Sequence, residues 1–308
     1  MLTTLSALVP VILVIASGYL IARTGLITGE QWRGVEQLAF YALFPAVLFR
    51  TIALADFSSF PTLNMGGGLL ASISVMALVL LAARTTIEKI WGIGPTRYTS
   101  IFQGTLRWNA MIALAIADNV AGDTGLAMLA VAMVFLIPVL NIASILVLSR
   151  YASGTAPSST KIARDLYTNP FILSIAAGVV WNVSGLALPA MIDDTLEIFS
   201  RAALPIGIIC VGAGLDLSSL RRPGPALTMG TFLRPVFMPL LAFGFGSLFG
   251  VTGPALAVMI IASAVPCASN SYLLARQMGG DAKLMAEIIT LQTLAATVTI
   301  PLALLVFT

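Results

Sequence analysis

The 308-residue sequence has no histidine, two cysteines and very little charge. Without histidine there are no imidazole metal ligands and no histidine proton relays. Cys210 and Cys267 lie inside apolar runs with no pairing pattern, so neither a disulfide nor a metal cluster is expected, and no cofactor is implied. Charged residues are 9% of the chain against 58% hydrophobic, a balance that cannot build a water-facing surface. Catalytic signatures are missing too: neither G-x-S-x-G nor H-E-x-x-H occurs. The pairs Gly122-Asp123 and Gly280-Asp281 fall on opposite faces of the predicted topology, too far apart for an aspartyl dyad. No enzyme is expected.

What is present is a succession of apolar runs, each near the roughly 20 residues that cross about 30 Å of hydrocarbon. Ten spans are predicted, at 3–22, 35–54, 65–83, 99–119, 126–148, 168–186, 191–214, 231–249, 255–275 and 284–307. The fold class is therefore all-α and polytopic, with the lipid bilayer as its solvent. No basic residue precedes the first apolar run and Arg23 follows it, the reverse of a secretory signal, so this span is expected to stay as an anchor. Arg23, Arg33, Arg84, Lys89, Arg97, Arg150, Lys161, Arg164, Arg221, Arg222, Arg276 and Lys283 all fall in alternate connections, and the other connections and both tails hold no basic residue. Because Lys and Arg are retained on the cytoplasmic side, both termini are expected outside. The stretch 150–166 then becomes a cytoplasmic linker. The same rule accounts for the net charge of +3 without a nucleic-acid partner.

An internal repeat organises the chain. PVILVIASGYLIARTGL (10–26) and PFILSIAAGVVWNVSGL (170–186) agree at eight of seventeen positions, where about one or two are expected by chance. The offset of 160 continues through Ala42, Pro45, Ala53, Asp56, Ser58 and Ser59, which match Ala202, Pro205, Ala213, Asp216, Ser218 and Ser219. Asn109 matches Asn270 with a small drift. The predicted organisation is a five-helix half at 1–149, the linker at 150–166, and a second half at 167–308. An odd number of spans per half inverts the second relative to the first, and inverted repeats commonly place a solute site where their discontinuous helices meet.

Two interruptions stand at corresponding places. The fourth span is broken by RWNAMIALAIADN (107–119) and the ninth by SAVPCASNSYLLA (263–275). Pro266 removes a helix hydrogen bond and clashes with the preceding turn, freeing carbonyls and amides that Ser263, Ser269, Asn270 and Ser271 can complement. Half-helix ends rich in free amides can hold an anion, with asparagine amides orienting it; packing alone is the other reading of such residues. Four arginines lie in or beside spans. Arg234 is expected at the cytoplasmic end of the eighth span, its head snorkelling to the interface. Arg50, Arg107 and Arg201 are each candidates either for a site or for a structural ion pair.

The ordered set FPAVLF, WNAMIALAIA, TNPFILSIAAG, ALPIGIICVGAGLDL and SAVPCASNSYLLARQMGGD, with a polar-dotted last helix, resembles the auxin efflux carrier family over nearly the whole chain. That family takes in plant auxin carriers and bacterial permeases for small carboxylates. The resemblance implies a ten-helix crossover fold whose helices one, two, six and seven form a scaffold and a homodimer contact. The remaining helices would be an elevator-like transport domain in a bacterial-type inner membrane. By position, Asn109 and Asn270 match the crossover asparagines and Pro266 the ninth-helix proline. Where the family has a proline after the fourth-helix asparagine this chain has Ala115, so a less sharp fourth break is expected. Arg107 is compatible with an anionic substrate, and equally with pairing to Asp118 or to carbonyls.

The expected activity is secondary transport of a small organic anion, a carboxylate such as malate, malonate or an aromatic acid. The substrate-binding candidates are Asn109, Asn270, Pro266, Ser269, Ser271, Arg107 and Ala115. No acid is placed deep beside the crossover, so uncoupled transport with efflux favoured by the membrane potential is expected. Asp118 is the candidate for ion coupling, and a proton- or sodium-coupled dicarboxylate symporter is the alternative. A channel is the third reading, although no ring of like charges or carbonyl filter is visible.

Overall fold

The computed structural model describes residues 2–153, 160, 164, 167–217 and 224–308. Most of the predicted linker, with Lys161, and also Ser218, Ser219, Arg221 and Arg222, lies outside the described residues. Within them every regular element is a helix: α1 (Leu2–Thr24), α2 (Gly29–Ala53), α3 (Thr62–Trp91), α4 (Pro95–Leu106), α5 (Ala110–Leu148), α6 (Pro170–Ser184), α7 (Ala190–Ala213), α8 (Pro225–Leu248), α9 (Gly253–Ala264), α10 (Asn270–Gln277) and α11 (Ala282–Phe307). Six helical stretches are long and apolar enough to cross a membrane, the one running from Pro95 to Ser153 spanning both α4 and α5, and three shorter apolar helices accompany them. The protein is an all-helical polytopic membrane protein.

Local chemistry sets many of the boundaries. Pro95, Pro170 and Pro225 open α4, α6 and α8, where a missing N–H costs nothing. Asn169 caps α6 by accepting from the amides of Phe171 and Ile172 at 2.9 and 3.3 Å, and Gly185 closes that helix in the left-handed region at φ 68°. Thr28 and Gln31 form a capping box at the start of α2. Asp281 caps α11 by accepting from the Leu284 amide at 2.9 Å.

One boundary differs from the sequence reading: the eighth helix begins at Pro225 rather than at 231. The stretch α5 is two helices that meet at a kink at Gly122, whose φ 55° and ψ −145° suit glycine alone and which lies within the connection read at 120–125. At the interruption read around Pro266, α9 ends and α10 begins after five non-helical residues.

The chain forms two compact units, each drawing on both sequence halves. The first unit comprises residues 1–62, 111–134 and 163–214. In it α1 packs along α7 and the second part of α2 packs along α6. Glycines permit the approach: a Cβ at Gly18 would strike the carbonyl of Ile209, and a Cβ at Gly178 would meet the Phe49 carbonyl and Ile52. These two contacts are one contact seen twice, since residues 18 and 178, and 49 and 209, are both separated by 160. Arg50 is bound there by Asp193, at 2.6 Å, with Glu197 at 3.5 Å, and Arg201 pairs with Glu197. Of the two sequence readings, Arg50 and Arg201 take the structural one.

The second unit comprises residues 63–110, 135–162 and 215–308. Around its centre α4, α8, α9 and α11 pack on one another. Gly104 and Gly230 both lie against Ile288, and Gly68 and Gly246 against Met259, so backbones approach closely where the two broken helices meet.

Candidate functional site

The two breaks lie in the second unit and end in the same way. Arg107 leaves α4 at φ −71°, ψ 147°, its N–H still bonded to the Gln103 carbonyl at 2.8 Å. Val265 leaves α9 at φ −61°, ψ 149°, its N–H bonded to the Ile261 carbonyl at 3.1 Å. Pro266 explains the second exit, because the residue before a proline is pushed out of the helical region. No proline follows Arg107. The first break is held instead from across the unit: the Asn109 amide donates to the Pro266 carbonyl at 2.8 Å, joining the two interruptions directly.

Arg234 closes the ends of both half-helices. Only 1% exposed, its guanidinium donates from Nε to the Val265 carbonyl. Nη1 donates to the carbonyls of Thr105 and Leu106, each at 3.0 Å, and Nη2 to that of Ala262 at 2.8 Å. Four of its five N–H groups are thereby engaged by backbone oxygens that the breaks leave free. This corrects the expectation of a snorkelling side chain. Because α8 starts at Pro225, Arg234 lies nine residues inside the helix, about 14 Å from its end.

Gln292 on α11 performs a similar service with neutral groups. Its Nε2 donates to the carbonyls of Gly104 and Gly230 at 2.9 and 2.7 Å, and its Oε1 accepts from the Cys267 amide at 2.7 Å. Arg234, Gln292 and the Asn109 amide therefore take the backbone groups expected to fall to Ser263, Ser269, Asn270 and Ser271. The buried Ser263 hydroxyl finds no partner among the described residues, and buried Ser271 accepts from the Cys267 thiol at 3.3 Å.

Arg107 is the second buried cation, 7% exposed. Its Nη1 donates to Asn141 Oδ1 at 3.0 Å and its Nη2 to Asn270 Oδ1 at 2.9 Å. Among the described residues its Nε has no partner and no carboxylate pairs with it. The pairing with Asp118 weighed from sequence is not formed. A guanidinium can only donate, which fixes both carboxamide orientations and turns each Nδ2 donor away from Arg107. Beside this group Asn109 reaches Ser269 Oγ from Nδ2 at a long 3.5 Å. Asn109 is buried while Asn270 is exposed, so the cluster has one open side.

The structure thus brings Arg107, Asn109, Pro266, Ser269, Asn270 and Ser271 to the two breaks. Ala115 and Asp118 belong to the other unit, within α5. Ala115 is buried and its carbonyl accepts from Asn119 Nδ2 at 2.7 Å, so the position of the family's proline lies in continuous helix. The break in α4 spans three residues against five in the ninth segment. Sequence reasoning missed Asn141, Gln292 and the role of Arg234. A carboxamide in the middle of an apolar span was the available signal for the first two.

Comparison with known proteins agrees in kind. Residues 3–304 match a family described as Membrane transport protein. The chain is 25% identical, over 97% of its length and 96% of the relative's, to an "Uncharacterized transporter" of Methanothermobacter thermautotrophicus. It is 23% identical to a "Putative malonate transporter" of Rhizobium meliloti, over 92% of this chain and 89% of that one. Against Auxin efflux carrier component 6 of Arabidopsis thaliana it is 28% identical over 124 residues, which are 38% of this chain and 22% of the plant protein.

Proposed function

The chain belongs to the membrane transport protein family that includes the auxin efflux carriers, and we propose that it is a secondary carrier for a small organic anion, a carboxylate, bound where the two broken helices meet. The observation that carries this reading is Arg107: a buried guanidinium held by two neutral carboxamide oxygens and, among the described residues, by no carboxylate. A buried charge costs several kcal/mol unless it is paired. Arg107 keeps Nε–H and one N–H on each terminal nitrogen for a partner, and the carboxylate of a substrate is that partner. Asn109 and the Nδ2 groups of Asn141 and Asn270 supply neutral donors around it.

The substrate acts as the missing counter-ion, so binding relieves the cost of the buried cation. The name of the Rhizobium relative points the same way, toward a small dicarboxylate. The repeated glycine contact at Gly18 and Gly178 supports a fold of two inverted five-helix halves. With no acid bound beside Arg107, the reading is uncoupled transport down the combined substrate and voltage gradient, outward across a membrane with both termini outside. The test is binding of a panel of mono- and dicarboxylates to purified protein. It is followed by flux in proteoliposomes made without sodium or pH gradients. Saturable, carboxylate-specific flux under those conditions is expected. Flux only with an imposed sodium or proton gradient replaces this reading with the coupled symporter, and failure to saturate replaces it with a channel.

A further inference from the structure

We propose that the Arg234 guanidinium is a tethered replacement for a coupling cation, seated in a cage of backbone carbonyls that binds a free monovalent cation once the side chain is removed. The cage is the set Thr105, Leu106, Ala262 and Val265, whose carbonyl oxygens all accept from Arg234. They come from the C-terminal ends of two half-helices, where the peptide dipoles leave partial negative charge and carbonyls without an intrahelical donor. Oxygens of this kind at broken helices are the ones that coordinate sodium in ion-coupled carriers. Here the position is filled by a group that cannot leave. The burial of the side chain, at 1% exposure, closes the cage to water, and no acidic side chain joins it among the described residues.

The contrast with Arg107 separates two tasks. Arg234 has four of its five N–H groups bound to carbonyls, while Arg107 has two bound and three left. A buried guanidinium so engaged supplies charge and fixes geometry rather than presenting a fork to substrate; Arg234 is a positioning residue. Its permanent charge neutralises both helix ends behind the anion site. The same task in a coupled carrier requires a dissociable ion and therefore an ion gradient. This inference deepens the uncoupled anion-carrier reading and rests on it for its meaning, but the cage itself can be tested with no substrate.

The experiment uses the full chain in detergent with Arg234→Gly, following its thermal unfolding against guanidinium, sodium, potassium and choline chlorides at matched ionic strength. In the variant the midpoint should rise saturably with guanidinium or sodium at low millimolar concentration, by about 5 °C at a hundredfold excess over the dissociation constant. Choline should do nothing, and the wild type should respond to none of the four. A variant indifferent to the small cations, or a wild type stabilised by sodium, overturns the proposal. If Arg234→Gly cannot be purified, Arg234→Lys and Arg234→Gln decide it. Lysine keeps the charge and should stay within a few degrees of wild type, while the neutral glutamine should fall well below; equal midpoints overturn it. Because no carboxylate is present, failure here is distinct from failure of the substrate assignment.

Discussion

Replacing Arg107 with glutamine separates a binding role from a structural one, because the two predict opposite signs. The wild-type guanidinium is desolvated and lacks a carboxylate partner, so in the empty protein it is held at a cost of several kcal/mol. Glutamine removes that cost and leaves Asn141 Oδ1 and Asn270 Oδ1 without their charged donor, a loss of about 1–3 kcal/mol. The terms nearly cancel, so the unfolding midpoint of the empty variant should stay within about 2 °C of wild type or rise. Affinity behaves otherwise. A charge-assisted pair between Arg107 and a carboxylate contributes on the order of 3 kcal/mol, so the variant should bind about 100-fold more weakly. Arg107→Lys, which keeps the charge and loses the planar fork, should fall between, at about tenfold. Calorimetric titration of the bound carboxylate, paired with a thermal scan without it, reads both quantities. Unchanged affinity together with a midpoint lowered by more than about 5 °C would refute the reasoning and make Arg107 a structural residue.

Asn109→Ala and Asn270→Ala should each weaken substrate binding at least about tenfold while leaving folded protein in the membrane, since each deletes a directional polar group; wild-type affinity in both would remove them from the site. Asp193→Asn breaks the partly exposed pair with Arg50, and should cost only about 1 kcal/mol in unfolding experiments with substrate affinity untouched. Gly18→Leu and Gly178→Leu press a side chain against backbone in two equivalent contacts, so similar destabilisation of about 1–3 kcal/mol or more is expected from both. Gly34→Ala, with open space at its Cβ, should be neutral or slightly stabilising in the same assay. A single cysteine at Ser158, outside the described residues, should react in a Cys-free background only from the cytoplasmic side; labelling of intact cells by an impermeant reagent would reverse the orientation.

The class of the protein and the positions of both breaks were legible because they depend on local chemistry. Long apolar runs read directly as helices, and Pro266 dictates an extended Val265 wherever it stands. The exit from α4 was legible only by its polar residues and its place in the repeat, since what holds it is the Pro266 carbonyl and the Arg234 guanidinium, brought from the other end of the chain. Arg234 was misjudged through a boundary. Six unrecognised residues at the start of α8 moved it from the interface to the interior. Gln292 bonds to Gly104 across 188 positions, a separation that no periodicity or motif can bridge. Within each helix the pattern is local; at the two breaks most polar bonds are long-range, and there the sequence names the participants without naming their partners.

The two buried arginines also bear on direction. Arg107 and Arg234 belong to one unit and, among the described residues, no acid is paired with either. If the proposed carrier moves this pair through the membrane field, the pair contributes two positive charges when empty. With a monoanion bound it bears one, and with a dianion none. Each charge that crosses the full field feels about 2.3 kcal/mol per 100 mV. A negative interior therefore draws the empty site toward the cytoplasm about twice as strongly as it opposes the outward passage of the monoanion-loaded site. The difference over a cycle is one negative charge exported, a bias of about fifty-fold at 100 mV. On this reading the potential acts chiefly by returning the empty site to the cytoplasmic side, so it favours export without having to pull on the substrate itself. A dianion removes the opposing force altogether: its loaded passage is indifferent to voltage and the whole electrical drive falls on the empty return. On the proposed carrier reading, the electrical preference for efflux rests on two buried arginines to which no acid is paired among the described residues, and the steepness of flux with voltage is expected to follow the valence of the bound anion.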